Sequence, residues 1–390
     1  MFKKIPKNVL VLGIVSLFND IASEMIYPVV PIFLTAVLNV PVSIVGIIEG
    51  IAEATASLGK FIFGYLSDKA GKRKIFVEGG YGLSSLSKLL MALASSWIFV
   101  LLARFIDRLG KGLRTGARDA LLLESAHKGN RGFIFGLHRS LDSAGAVIGP
   151  FLAFLLLYFF NDNLRLIFFL AFIPSVIGVF LLVFFVKEKR NTENPGPRKN
   201  EIRLRFHDLN PSFKLFFIIS LIFALGNSSD AFLILRAKNL GLLTQTAVLT
   251  YVLYNIFQTF FATPLGRLSD RVGAKKVYTA GLLIFSAVYF SFAVIKSSFW
   301  IWFLFPLYGL YIAATEGVSK AYISEFIDSS QSATYFGMYQ TGIALCSFIA
   351  SLVAGFLWNF ISPASAFYYG SFMAFLAFVF LLYGKLTNRV

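Results

Sequence analysis

Four acids stand in two pairs early in the chain: Asp20 and Glu24 in "FNDIASEMIYP", and Glu49 and Glu53 in "IIEGIAEATAS". Residues four apart share a helix face, so each pair sets two carboxylates side by side within an otherwise apolar run. Carboxylates that share a site compete for protons, which suits them to binding and releasing protons in a cycle. A longer constellation follows, with Arg104, Asp107, Arg108, Lys111, Arg114 and Arg118 at steps of three or four. It makes a continuous charged stripe on one helix, in which Arg104 and Asp107 could pair. His138, Arg139 and Asp142 come next. The second half is sparser, with Asp230, Arg236, Glu316 and Lys320. Tyr27, Asn227, Tyr254, Asn255, Gln258, Tyr339 and Gln340 add hydrogen-bonding groups.

These charges lie in segments apolar enough to enter a bilayer, and energy decides where they face. One such residue at mid-helix costs about 2.5–3.5 kcal/mol in lipid. A dozen facing lipid would cost on the order of 30 kcal/mol, against the ~5–15 kcal/mol net stability of a typical protein. They are therefore expected to face a shared watery interior and to compensate one another. Asp20, Glu24, Glu49 and Glu53 are the candidates for proton coupling, with Arg104, Arg108 or Lys111 as the switching charges. Tyr27, Arg104, Asp107, Arg108, Lys111, Arg139, Asp142, Asn227, Asp230, Glu316 and Lys320 are the candidates for contact with a polar or charged small molecule. A purely structural ion-pair network is the rival reading. Arg114, Arg118 and Asp119 read as interdomain latches or snorkelling groups near the cytoplasmic edge.

The sequence has no HExxH, no Cys/His metal spacing, no phosphate-binding glycine loop and no G-x-S-x-G in a suitable setting. An enzyme, a metal site and a resident cofactor are not expected. The lone Cys346 excludes an internal disulfide.

The elements that must hold these groups follow from composition. The chain has 390 residues, 57% hydrophobic and 14% charged, including 45 Phe, with a mean hydropathy of +0.73. A soluble domain averages about 45–50% apolar and about 25% charged. Apolar runs recur near 9–37, 43–66, 75–95, 97–123, 133–160 and 164–186, then near 213–236, 245–265, 277–296, 299–325, 333–360 and 365–385. The N-terminal run continues past Asp20 and Glu24 without a cleavage site and reads as an uncleaved first span.

The formal charge of +16 falls mainly in alternate loops: Lys69, Lys72, Arg73 and Lys74, then Lys128 and Arg131, then Arg267, Arg271, Lys275 and Lys276. With Lys3, Lys4 and Lys7 at the start, this is the positive-inside pattern. It puts both termini in the cytoplasm and argues against a nucleic-acid partner. The expected domains are 1–187, a polar cytoplasmic linker at 188–212, and 213–390.

The two halves repeat each other. "FGYLSDKAGKRK" at Phe63–Lys74 returns as "LGRLSDRVGAKK" at Leu265–Lys276, and "GARDALLLE" at Gly116–Glu124 aligns with "GVSKAYISE" at Gly317–Glu325. Repeats of this kind build two-lobed transporters. On these residues the chain resembles the major facilitator superfamily, whose loop between spans 2 and 3 is G-x-x-x-D-(R/K)-x-G-(R/K)-(R/K). Gly64, Asp68, Lys69, Gly71, Lys72 and Arg73 fill the first copy. Gly266, Asp270, Arg271, Gly273 and Lys275 fill the second, where Ala274 departs from it.

Span 5 carries Gly136, Gly145, Gly149 and Pro150, similar to the family's antiporter pattern except for Ala153 and Phe154 at its end. The strings "RFIDRLGKGLRTGARDALL" and "FGLHRSLDSAGAVIGP" resemble a largely uncharacterised prokaryotic subgroup. The resemblance implies an all-α fold of twelve transmembrane helices in two pseudo-symmetric six-helix lobes, with spans 1, 4, 7 and 10 around a cavity. It also implies alternating access, with the two loop copies and the span-5 glycines acting as the conformational switch. Asp68 is expected to cap a neighbouring helix.

The function expected is secondary active transport of a polar or charged solute across a bacterial or archaeal cytoplasmic membrane, proton-coupled and leaning to export, by a monomer. Uptake of a nutrient or siderophore, multidrug efflux and a transport-inactive receptor are the alternatives.

Overall fold

A computed structural model describes residues 5–125, 131–188, 210–326 and 332–384. Its described residues are built of helices: α1 (Lys7–Ile26), α2 (Val30–Ile32), α3 (Val42–Ala70), α4 (Arg73–Ala92), α5 (Trp97–Glu124), α6 (Arg131–Phe159) and α7 (Leu164–Phe185), then α8 (Pro211–Gly226), α9 (Ala231–Asn239), α10 (Thr244–Val272), α11 (Ala274–Val294), α12 (Ile301–Ser324), α13 (Ser332–Phe360) and α14 (Pro363–Tyr383). With α1 and α2 forming one span and α8 and α9 another, these make the twelve expected spans. Among the described residues nine are long and apolar enough to cross a bilayer. The other three, α4, α5 and α10, carry respectively Lys88 with its serines, the stripe of bases, and a run of Thr, Tyr, Asn and Gln. The expected linker at 188–212 lies almost wholly outside the described residues, as do Lys3, Lys4 and Lys128.

The chain divides into two compact units, Met1–Val40 with Ile51–Lys199, and Pro41–Gly50 with Asn200–Val390. In the first, α1 packs on α6 and α7, and α4 packs on α5 and α7. In the second, α8 packs on α13 and α14, and α11 packs on α12 and α14. These are the same four span pairings, so the sequence repeat is a repeat of packing. One small contact is reproduced too: Ser85 Oγ lies 2.6 Å from Ser175 Oγ, and Ser286 Oγ lies 3.2 Å from Ser371 Oγ. The segment Pro41–Gly50 belongs with the second unit because Gly46 and Gly50 abut α13, where Cβ atoms would meet Ser351 O at 2.3 Å and Phe348 at 2.6 Å.

Two spans read as continuous from sequence are interrupted. The first span turns over Tyr27–Val29 before α2, which runs into a π-helical turn at Phe33–Val37. Pro28 explains the break, since it lacks an N–H and its ring collides with the carbonyl four residues back. The seventh span stops at Gly226 and resumes at Ala231. No proline acts there. Instead Ser229 N–H donates to Ser351 Oγ at 3.1 Å, and Ser229 Oγ accepts Ala231 N–H at 3.3 Å. Short polar side chains that bond locally compete with the helical ladder. Unwound backbone at membrane depth survives only when buried in protein or lining a cavity.

The signature loops behave as turns. Gly71 (φ +61°) and Gly273 (φ +96°) sit in the left-handed region that favours glycine. Gly64 and Gly266 have nothing within 4 Å of where their own Cβ would stand, but a Cβ on Gly116 of α5 would lie 3.2 Å from Gly64 Cα. The side chain of Asp68 lies outside the described residues. The N–H groups of Arg73 and Lys74 at the start of α4 donate to the Glu188 carboxylate.

Candidate functional site

In the first unit the α5 stripe faces inward. Asp107 is buried and its carboxylate takes two partners, Lys88 Nζ at 3.0 Å and Ser87 Oγ at 3.4 Å. Asp107 thus has a partner across helices, on α4, besides its neighbours on α5. Lys88, with its side chain only 2% exposed, also donates to Ser23 Oγ on α1 at 3.2 Å. Ser23, Ser87, Lys88, Arg104 and Asp107 line a small recess. The sequence reading missed Lys88, although a lysine at mid-span is itself a signal of function or pairing.

Further along α5 the same seam continues. Arg114 is buried, donates to Ser84 Oγ at 2.6 Å, and lies 4.6 Å from the centre of the Tyr81 ring. Arg118 bonds Ser16 Oγ at 3.0 Å and Asp119 Oδ1 at 3.0 Å. Arg114 is therefore a packed interior group rather than a snorkelling one. Tight approach makes the seam possible: a Cβ on Gly80 would stand 2.7 Å from Gly110 O.

The acids of α1 face α6. A Cβ on Gly145 would lie 2.8 Å from Asp20 Cβ, and one on Gly149 would lie 2.9 Å from Glu24 Cβ. Gly145 and Gly149, two of the three glycines of the span-5 pattern, are thus the seats of Asp20 and Glu24, two of the four candidate proton-coupling acids, a relation the sequence reading did not draw. One turn before Gly145, Asp142 Oδ2 lies 3.4 Å from His138 Nδ1. Arg139 is exposed. α6 runs through Pro150 without interruption. Arg104 is buried with its guanidinium 5.5 Å from the centre of the Tyr27 ring, at the break in the first span. Glu49 is buried in the part of α3 that belongs to the second unit, and Glu53 is exposed in the part that belongs to the first.

The second unit solves the equivalent problem with aromatics. On the alignment that pairs Gly116 with Gly317, and Gly80 with Gly281, Tyr308 stands where Asp107 does and Tyr289 where Lys88 does. Their rings are 6.2 Å apart. Tyr308 OH donates to Asp230 Oδ1 at 2.6 Å and Tyr254 OH donates to Oδ2 at 3.1 Å. Asn227 Nδ2 donates to Tyr311 OH at 3.2 Å. Asp230 and Asn227 are thereby brought together at the break. Arg236 is not part of this group: it bonds the carbonyls of Phe292, Ala293 and Ile295 at the end of α11. Glu316 accepts from Gln258 Nε2 at 3.2 Å, and Lys320 is exposed one turn on. Asp270 and Arg271 are exposed, while Lys275 donates to Gly384 O at 3.0 Å.

Comparison with known proteins agrees with this architecture. The model of the Major Facilitator Superfamily matches residues 12–252 and 215–389. The chain is 39% identical to an uncharacterized MFS-type transporter, MJ1317, of Methanocaldococcus jannaschii, over 98% of this chain and 96% of that one. It is 24% identical to multidrug resistance protein MdtG of Escherichia coli, over 61% of this chain and 59% of MdtG. Its fold superposes on a single-site mutant of the nucleoside transporter NupG with a TM-score of 0.82 at 13% identity, covering 97% and 100% of the two chains. It superposes on a peptide transporter, POT, in complex with sulfate, with a TM-score of 0.81 at 14% identity, covering 98% and 96%. With twelve spans, repeated packing and a family match along its length, this multi-pass membrane protein belongs to the Major Facilitator Superfamily.

Proposed function

We propose that the chain is a secondary active transporter that moves a polar or charged small molecule by alternating access, coupled to protons and running toward export. Residues 1–187 and 213–390 would be the two moving lobes of a monomer, with 188–212 as their tether and both termini in the cytoplasm. The observation that carries this reading is the set of ionisable groups held at membrane depth next to an interrupted span. Asp20 and Glu24 sit on the α6 glycines, the Lys88–Asp107 pair of α4 and α5 reaches α1 at Ser23, and Arg104 lies over Tyr27. Such groups are costly in a bilayer and mark solute or proton pathways.

Asp20, Glu24, Glu49 and Glu53 take the proton-coupling role, while Arg104, Arg108, Lys111, Arg139, Asp142, Asn227, Asp230, Glu316 and Lys320 contact solute. The loops at Asp68 and Asp270, with Gly145, Gly149 and Pro150, are the switch. Reconstituted protein in liposomes with an imposed pH gradient should accumulate a charged or zwitterionic solute in proportion to the gradient. Accumulation that ignores the gradient would remove the coupling.

The likeness to MdtG favours a second reading, efflux of several unrelated compounds. A solute panel in the same liposomes separates the two: a single accepted class supports the first, and many unrelated lipophilic ones support the second.

A further inference from the structure

We propose that protons pass between Asp20 and the cytoplasm through the interior of the first unit, along the face of α6 that carries His138 and Asp142. This deepens the proton-coupled reading and rests on it. It also moves Asp142 from the solute contacts to the proton path.

His138, Asp142, Gly145 and Gly149 follow one another at steps of four, three and four, so they share one face of α6. Gly145 and Gly149 seat Asp20 and Glu24, which sets that face against α1. Asp142 Oδ2 lies 3.4 Å from His138 Nδ1, and Asp142 is near enough for its charge to act on Asp20. At the other end, Asp119 of α5 is near enough to act on His138, and its side chain is 46% exposed. The titratable groups thus form a series from solvent inward: Asp119, His138, Asp142, Asp20. All of them belong to the first unit.

Two atoms in the middle of the series, His138 Nε2 and Asp142 Oδ1, are buried and have no hydrogen-bond partner among the described residues. Buried polar atoms without a protein partner are ordinarily satisfied by water, and water at these two atoms is what a relay needs. A proton leaving Asp20 passes to Asp142. The O–H bond of Asp142 then breaks as Nδ1–H forms, and Nε2–H breaks as its proton passes to water. The ring carries charge only between those two steps.

The other charges around the ring are Arg118 on α5 and Arg139 on α6 itself. Those around Asp20 are Lys111, Arg114 and Arg118. Arg118 is held by Ser16 Oγ and Asp119 Oδ1, each at 3.0 Å. α7 carries one ionisable group, Arg165, at the end that adjoins Phe159 rather than His138.

The repeat supplies an internal comparison. On the alignment of Gly116 with Gly317, the four α6 positions correspond to Tyr339, Ile343, Cys346 and Ala350 on α13. α8, which packs on α13 as α1 packs on α6, carries no acid. The same helix pairing is therefore built without a carboxylate or an imidazole, and the fold does not require them.

The test needs no solute. A pH jump on the purified protein in lipid, followed by time-resolved infrared, reads the carboxylic C=O band of Asp20, identified by its loss in Asp20→Asn. His138→Ala should slow the protonation and deprotonation of Asp20 about a hundredfold, the lower end of what a positioned proton donor or acceptor contributes. The full amplitude of the band should remain. Free imidazole should restore most of the rate by entering the ring-sized gap, while pyrazole, alike in shape but a far weaker base, should not. His138→Gln, similar in volume, is the second variant if the first misfolds, and should be equally slow at full amplitude. A rate indifferent to the substitution, or a slow rate that imidazole leaves slow, overturns the route while the coupling role of Asp20 stands. A chain in which no Asp20 band responds to pH overturns that coupling role, and the route with it.

Discussion

Lys88 Nζ lies 3.0 Å from Asp107 Oδ1, joining α4 to α5 in the interior of the first unit. A buried pair contributes little over a well-packed apolar one, but removing one partner leaves a bare charge. Lys88→Met should therefore destabilise the protein by about 3–5 kcal/mol. The double variant Lys88→Met with Asp107→Leu should recover most of that loss. Denaturant unfolding in detergent checks both, and an unrecovered double variant would show that the pair is more than mutual neutralisation.

The α6 glycines divide by what lies opposite them. Gly149→Ala would set a Cβ 2.6 Å from Ile21 O and 2.9 Å from Glu24 Cβ, and overpacking of this kind costs about 1–3 kcal/mol. Gly136 meets nothing within 4 Å, so Gly136→Ala should gain up to about 1 kcal/mol from helix propensity. Melting temperatures that shift alike for the two would contradict this division.

Asp20→Asn and Glu24→Gln should abolish solute movement driven by a pH gradient while sparing exchange of labelled for unlabelled solute, which needs no net proton transfer. Liposome flux and counterflow, measured on the same preparation, tell the two apart. Gradient-driven flux that survives both substitutions would remove these acids from the coupling path.

Tyr308→Phe should weaken solute binding and cost more stability than Tyr254→Phe. Its hydrogen bond to Asp230 is 2.6 Å against 3.1 Å, and Tyr308 is the more deeply buried of the two. Losing a donor to a charged acceptor costs about 1.5–3 kcal/mol. Equal losses would mean that the two hydroxyls share the carboxylate evenly.

Asp270 is exposed, so Asp270→Asn should leave stability within about 0.5 kcal/mol. If the loop acts as a switch, this substitution and Asp68→Asn should each slow turnover more than they weaken binding. Full transport rates in both variants would end that role.

Much of this was readable in the residues. Apolar runs gave the spans, and the offset that pairs Gly116 with Gly317 also pairs elements that pack alike. The α5 stripe was visible because bases at steps of three or four share one face. What spacing within a helix cannot reveal is the partner on another helix. The steps of three and four along α5 say nothing of Lys88, which crosses from α4 to bind the Asp107 carboxylate. Lys88 itself was hidden by the serines and leucines around it, which keep its span looking merely mild. The break at Tyr27 had Pro28 to announce it. The break at Asn227 had only a run of short polar residues, legible as a turn in a soluble protein and easily overlooked inside a span.

The tyrosines around Asp230 also give the second unit a built-in optical label. Tyr251, Tyr254, Tyr308 and Tyr311 form a chain of rings 5.1–5.3 Å from one to the next, close enough for their transitions to couple. Near-ultraviolet dichroism from that array should report on the C-terminal half alone. Any change in the packing of that array can thus be followed in a purified sample without a dye or tag.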